Sequence, residues 1–184
     1  DGLKGQLACD SKASAIKYKK YLDEANLFES AVVMSPPDSR EGNTAVDEAA
    51  TPEVTQWWKD NVGNQDEQTY TKHLIERFDK DDSLKILIVV DKLLTGFDEP
   101  KNAVLYIDKP LKEHNLIQAI ARVNRLHPKK KFGLLIDYRG ILSELDTTIQ
   151  KYQDLASRTQ GGYDINDISG LYNQMSTEYK RLPQ

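Results

Sequence analysis

Three polar residues on one face of a predicted helix are the group in this sequence best suited to chemistry. Residues 113–126 contain no glycine or proline, and their apolar residues recur at helical spacing. At about 100° per residue, Gln118, Arg122 and Arg125 fall on one narrow face and apolar side chains occupy the rest. Such a helix should be largely buried, and buried guanidiniums need an anionic partner. Two arginines on one rigid face are suited to binding the oxygens of a triphosphate.

Three apolar segments around this helix are the elements that must position it. Residues 84–90, 102–107 and 132–136 are short, apolar and rich in branched side chains, which is typical of strands buried in a parallel sheet. Ligands of such sheets bind at the carboxyl ends of the strands. We expect those ends to carry Asp91, Thr95, Gly96, Asp98 and Asp108.

The residues before this segment also predict alternating strands and helices. Weaker strands are predicted at 5–10 and 30–34, and helices at 13–25, 52–61 and 67–80. Strands that alternate with helices indicate an open α/β architecture.

The amino-acid sequence of the central segment resembles the motifs of a known family. Residues 118–125 read QAIARVNR, which is similar to motif VI, QxxxRxxR, of superfamily 2 helicases and translocases. Residues 93–100, LLTGFDEP, are similar to their motif V. Together with GLLIDYRG at 133–140, these motifs resemble the motor of the R (restriction) subunit of type I restriction enzymes, over about a third of the chain.

The resemblance implies a RecA-like three-layer α/β domain with a mostly parallel central sheet. Residues 1–140 would be the second RecA-like motor domain, and residues 141–184 a C-terminal helical extension that starts the following helical region. The activity implied is that of an ATP-dependent translocase on double-stranded DNA, within a type I site-specific deoxyribonuclease.

The resemblance also assigns roles to individual residues. Arg125 would be the arginine finger, Arg122 a second contact to the γ-phosphate and Gln118 a nearby polar contact. Asp98 would lie near the ribose of ATP. Thr95 and Gly96 would contact the DNA backbone.

A weaker resemblance to motif IV adds Ser11 and Lys12 as DNA-backbone contacts. Ser11 follows a predicted strand and precedes a lysine-bearing helix, as in that motif. An ordinary surface helix capped by Ser11 is an equally good interpretation.

Two departures weaken a generic helicase assignment more than the narrower one. Ala121 stands where many helicases have glycine, and no arginine precedes Gly96.

The sequence lacks the other half of an ATPase site. It contains no GxxxxGK(S/T) motif, and the Asp-Glu pairs at 23–24 and 47–48 do not follow buried strands as Mg²⁺ ligands of such motors must. We therefore expect ATP and Mg²⁺ to act in the full-length parent, with the chain itself inactive and without a metal site. Its expected partners are double-stranded DNA, the N-terminal motor half and nuclease domain of the same parent, and the modification and specificity subunits.

Composition sets further bounds. The net charge is −4, and acidic residues outnumber basic residues by 12 to 5 between residues 36 and 82, so a DNA-facing surface should exclude that segment. A single cysteine, Cys9, suits a reducing cytoplasm, and no apolar stretch approaches the roughly 20 residues of a membrane span. Two alternatives stay open: the second motor domain of another superfamily 2 DNA helicase, and a non-catalytic interaction module of RecA-like fold.

Overall fold

The computed structural model describes residues 2–37, 51–90, 92–93, 97–111, 113–125 and 127–141. Five parallel strands form one sheet in the order β2-β3-β1-β4-β5. The strands are β1 (Lys4–Cys9), β2 (Glu29–Val33), β3 (Leu84–Val89), β4 (Asn102–Asp108) and β5 (Leu134–Asp137). The prediction of an α/β domain with a parallel central sheet is confirmed. Except for Ile141, the predicted helical extension lies outside the described residues.

In the described residues, four helices connect these strands: α1 (Lys12–Ala25), α2 (Pro52–Asn61), α3 (Glu67–Lys80) and α4 (Glu113–Val123). The first three start at residues whose side-chain oxygens accept a hydrogen bond from the first turn, which satisfies amides that have no partner within the helix. These caps are Ser11, Thr51 and Asp66. Local sequence therefore sets where these helices begin. None of the helices in the described part of the chain is long and apolar enough to cross a membrane.

The helices pack on both faces of the sheet. On one face, α1 and α2 contribute Ile16 and Val54 to a core cluster with Leu7 of β1. On the other, α3 and α4 contribute Phe78 and Leu116 to a cluster that also contains Ala8, Leu87 and Leu105. Neighbouring residues of β1 thus face opposite clusters, as a strand requires, and the domain has three layers.

The helix α4 ends at Val123, three residues before its predicted end. Asn124 accepts a hydrogen bond from the Gly133 amide through its side-chain oxygen, at 3.3 Å. A Cβ atom at Gly133 would lie 2.4 Å from the carbonyl oxygen of Val123, so only glycine lets the chain pass this close to the helix end. Strand β5 therefore starts after Gly133.

The connection from β3 to β4, residues 90–101, has no helix or strand in its described part, and we call it the crossover. Because β1 lies between β3 and β4 in the sheet, the crossover must pass over β1. Phe97 of the crossover is buried and packs against Phe78 of α3, with ring centroids 5.9 Å apart. The crossover therefore lies on the face of the sheet that α3 and α4 cover.

Candidate functional site

The face of α4 that carries Gln118 and Arg122 points away from the sheet. Leu116, Ala119 and Val123 are buried against the core, whereas Gln118 and Arg122 are partly exposed. Arg122 has no hydrogen-bond or ion-pair partner among the described residues, which leaves its donors available to a ligand.

The helix is less buried than its apolar composition predicts. Ala121 is exposed, and Ile117 and Ile120 are only partly buried beside the core. The sheet covers one side of α4, and in the described part of the domain no second layer packs on the outer side.

Arg125, just beyond the end of α4, pairs with Asp98 of the crossover. The distance from Nη1 of Arg125 to Oδ1 of Asp98 is 2.8 Å, and the two side chains are 40% and 57% exposed. A pair this exposed contributes at most about 1 kcal/mol to stability. The structure thus brings together two residues that the family resemblance assigned to one nucleotide site.

The prediction that Asp98 lies at the carboxyl ends of the strands is wrong. Parallel strands require each connection to return to the amino edge of the sheet before the next strand begins. Asp98 belongs to the part of the crossover that has returned to the amino edge. The Glu99 carbonyl accepts a hydrogen bond from the amide of Asn102, the first residue of β4. The Lys101 carbonyl accepts one from the amide of Lys4, the first residue of β1. The pair of Asp98 and Arg125 therefore lies at the amino edge.

The predicted DNA contacts Ser11 and Lys12 lie at the opposite, carboxyl edge, where β1 ends and α1 begins. The Ser11 hydroxyl caps α1 by accepting from the Ser14 amide at 3.1 Å. Nζ of Lys12 donates to the carbonyl of Pro36 at 2.6 Å. Both side chains are engaged by the fold, and these contacts agree with the interpretation of an ordinary capped helix. Thr95 and Gly96 lie outside the described residues.

A charged cluster at the carboxyl edge was missed by the sequence reasoning. Arg139, after β5, donates from Nε to Asp108 at 2.6 Å and from Nη2 to Asp10 at 2.9 Å. The Tyr18 hydroxyl donates to the second oxygen of Asp108 at 2.7 Å. Burial, and then this hydrogen bond, raise the pKa of Tyr18 to about 12, so the phenol stays protonated and remains a donor at neutral pH.

A signal for this cluster was present in the sequence. Asp10 directly follows β1, and β4 and β5 end at Asp108 and Asp137. Carboxyl ends of neighbouring parallel strands meet at one edge, so Asp10 and Asp108 had to converge and needed a cation. No group of three His, Cys, Asp or Glu side chains suited to a metal occurs in the described ranges.

Comparison with known proteins decides the family. Residues 2–140 match the family model described as type I restriction enzyme subunit R domain 3. The chain belongs to this family. The prediction made from motifs V and VI is therefore confirmed at the level of the family, and that match covers the whole described domain.

Curated relatives of this R-subunit domain carry the same family name. The putative type I restriction enzyme MjaVIIP endonuclease subunit of Methanocaldococcus jannaschii is 43% identical over 57% of this chain and 10% of the relative. The type I restriction enzyme HindI endonuclease subunit of Haemophilus influenzae is 44% identical over 53% of this chain and 10% of the relative. The MjaVIIIP subunit of M. jannaschii is 36% identical over 77% of this chain and 14% of the relative. The chain thus spans about a tenth of the length of these relatives.

A solved structure, "Mss116p DEAD-box helicase domain 2 bound to an RNA duplex", matches over 73% of this chain and 54% of its own. The identity is 19% and the TM-score 0.32, and at that TM-score the likeness supports no conclusion about this domain.

Proposed function

We propose that this R-subunit domain is the second, RecA-like half of an ATP-driven motor that moves double-stranded DNA in a type I restriction enzyme. One observation carries the proposal: Arg122 faces outward from α4 without a partner among the described residues, and Arg125 is held nearby by a single exposed carboxylate, Asp98. Two positioned guanidiniums at one edge of a parallel sheet, in a family of restriction-enzyme motor subunits, fit the recognition of a triphosphate.

The residues at the amino edge fit the β- and γ-phosphates of ATP. Arg125 and Arg122 would bind γ-phosphate oxygens and oppose the negative charge of the transferring phosphoryl group, with Gln118 as a nearby polar contact. Because Asp98 is more than half exposed, Arg125 can exchange it for phosphate at a cost of about 1 kcal/mol or less. Asp98 would then be free to accept from the ribose, a role that its family position implies.

When bound, ATP would supply the phosphoryl group and Mg²⁺ would neutralise the charge on its oxygens. The sequence contains no P-loop, so we assign the binding of both to the N-terminal motor half of the parent chain. The present domain would contribute cations on closing over that half, which in comparable motors accelerates phosphoryl transfer by several orders of magnitude.

The DNA side of the motor would be the carboxyl edge. Ser11 and Lys12 are there, and Thr95 and Gly96, which the resemblance to motif V assigns to the DNA backbone, would be further contacts. Nucleotide and DNA would thus bind at opposite edges of one sheet. Opening and closing of the two motor halves would convert hydrolysis into movement along the duplex.

The remaining assignments follow from the family. The parent would be an ATP-dependent, cytoplasmic deoxyribonuclease with a separate nuclease domain, acting with modification and specificity subunits. Residues 1–140 would form the motor domain and 141–184 the start of a helical region. Family membership sets aside the alternative of another superfamily 2 helicase.

DNA-stimulated ATP hydrolysis by the full-length parent tests the proposal. Arg125→Ala should reduce the rate by roughly a thousandfold, as expected for an arginine finger. Arg77→Met is the control, because Arg77 of α3 is an arginine of similar exposure that pairs with Asp81 and with Glu29 of β2, the strand at the opposite end of the sheet from β5.

The control should keep its rate within about twofold. If Arg125→Ala hydrolyses ATP as fast as the control does, the arginine-finger role is wrong. The alternative of a non-catalytic interaction module would then be the better account.

A further inference from the structure

Arg125, the proposed arginine finger, lies in a loop rather than in the helix that precedes it. Helix α4 ends at Val123, and the loop runs from there to Gly133, directly before β5. We call residues 124–133 the Arg125 loop; all of it except Leu126 belongs to the described residues. Loops are more mobile than helices and strands. Contacts outside α4 must therefore hold Arg125 if it is to act at a defined position.

Two contacts close the Arg125 loop on itself. At its base, the side-chain oxygen of Asn124 accepts from the Gly133 amide at 3.3 Å. At its tip, the Lys130 amide donates to the carbonyl of His127 at 2.9 Å, and these two residues form an isolated antiparallel bridge. Arg125 and Lys130 thus belong to one closed loop, so a constraint at Lys130 limits the positions open to Arg125.

A tight turn before β4 carries the atoms that the Arg125 loop contacts. The Glu99 carbonyl accepts from the Asn102 amide at 3.0 Å, which closes a turn over residues 99–102. The buried Glu99 side chain accepts from the Lys101 amide at 3.0 Å. We call residues 99–102 the Glu99 turn. Because two hydrogen bonds fix its backbone and it leads directly into β4, this turn is a rigid support.

Lys130 joins the Arg125 loop to the Glu99 turn. Its Nζ donates to the carbonyls of Pro100 and Asn102 at 2.7 and 2.9 Å. The side chain is partly buried, and this burial lowers the pKa of Lys130, whereas the nearby Glu99 carboxylate acts in the opposite direction. Two carbonyl oxygens replace the water that burial removes from the ammonium group.

The ion pair of Arg125 and Asp98 is a second link between the same two segments. Asp98 directly precedes the Glu99 turn, and its carboxylate lies 2.8 Å from Nη1 of Arg125. In the proposed function Arg125 leaves Asp98 for phosphate, so this link is lost when the nucleotide site is occupied. The link through Lys130 does not use the Arg125 side chain and is retained.

We propose that Lys130 is a positioning residue for Arg125: by binding the Glu99 turn, it holds the Arg125 loop where the guanidinium reaches the γ-phosphate. The inference rests on the proposed motor function. Lys130 itself does not bind the nucleotide and acts through Arg125. The contacts of Lys130 lie at the start of β4, and therefore at the same amino edge as the pair of Asp98 and Arg125.

Lys130→Met in the full-length parent, assembled with its modification and specificity subunits, tests this inference. The substitution keeps an unbranched side chain but removes both hydrogen bonds to the Glu99 turn. At saturating DNA, kcat for ATP hydrolysis should fall about 10- to 100-fold, because a displacement of about 1 Å can cost about 100-fold in rate. The KM for ATP should change less than about threefold, since we assign nucleotide binding to the other motor half.

Lys129→Met is the matched control. Lys129 is the neighbouring lysine of the same loop, is exposed, and its ammonium group has no partner among the described residues. This substitution removes the same charge one position away and leaves the contacts to the Glu99 turn intact, so kcat should stay within about twofold. Equal losses of kcat in the two variants would show that charge and not position matters, and the inference would be wrong.

A double-mutant cycle separates positioning from a general structural role. If Lys130 acts through Arg125, Lys130→Met should lower kcat no further in the Arg125→Ala background, although it should lower the Tm of both backgrounds by the same amount. A further loss of kcat in the double variant, as large as in the parent, overturns the inference. Lys130→Gln, which removes the charge but keeps a donor, is the milder substitution for the same cycle if Lys130→Met does not fold.

The outcomes also separate this inference from the function on which it rests. A normal kcat in Lys130→Met, with Arg125→Ala still inactive, overturns the inference and leaves the motor proposal intact. Normal hydrolysis by Arg125→Ala refutes the motor proposal itself.

Discussion

Replacement of Phe97 by alanine tests how the crossover is packed. Phe97 is 3% exposed and contacts the fully buried Phe78 of α3 at 5.9 Å between ring centroids. Loss of a buried phenylalanine costs about 3–5 kcal/mol in transfer and cavity terms. For a chain of this size about 1 kcal/mol corresponds to roughly 2–4 °C in Tm, so we expect Phe97→Ala to lower the Tm by roughly 6–20 °C.

Thermal unfolding of the 184-residue chain, followed by circular dichroism, measures this effect. Tyr138→Ala is the control, because Tyr138 is an aromatic residue that is 60% exposed and belongs to neither core cluster. Its Tm should shift by no more than about 2 °C, as for other surface substitutions. Equal shifts in the two variants would mean that the crossover does not pack over β1 against α3.

Three further predictions concern surface charges and the buried thiol. Asp98→Asn should lower the free energy of unfolding by less than about 1 kcal/mol, and by less still in high salt, because the ion pair with Arg125 is exposed. A larger loss in denaturant titrations would show that this pair stabilises the fold. Cys9 is fully buried, and burial is the main cause that raises its pKa to about 12. Thiol reagents at pH 8 should therefore modify Cys9 only after unfolding. Rapid labelling of the native chain would contradict its buried position. Hydrogen bonds from Ser83, and to a lesser extent from Arg77, lower the pKa of Asp81 from 3.8 to about 2. The contribution of Asp81 to stability is therefore present above pH 3.8 and is lost as the pH falls towards 2. Arg77→Met should reduce this loss, as measured by unfolding at a series of pH values.

Most elements were predictable because their signals are local. The helix at 52–61 and the helix at 67–80 have the predicted bounds, with Thr51 and Asp66 as caps. Strand β3 was predicted within one residue from its run of apolar side chains. The end of α4 was not, because Asn124 turns to Gly133, a residue nine positions away that meets it only in the folded chain.

The members of the candidate site stay a prediction, and the location predicted for one of them, Asp98, was wrong. Helical spacing predicted one shared face for Gln118, Arg122 and Arg125, but α4 ends at Val123, so Arg125 does not belong to that helix face. The family was predicted from two sequence motifs, and the match of residues 2–140 confirms it. The roles of these residues stay predictions until the variants above are measured. The partner of Arg125 and the edge at which Asp98 lies required the order of the strands.

The sequence by itself determined the strands, helices and caps of this domain and identified its family. Hydrophobic periodicity, capping residues and sequence motifs are all properties of residues that are close together in the chain. Only the tertiary structure decided that β1 lies between β3 and β4. That order forces the crossover over Gln6, carries Asp98 to the amino edge beside Arg125 and brings Asp10 and Asp108 to Arg139 at the other edge. Strand order depends on pairings between residues far apart in the chain, and no local pattern encodes those pairings.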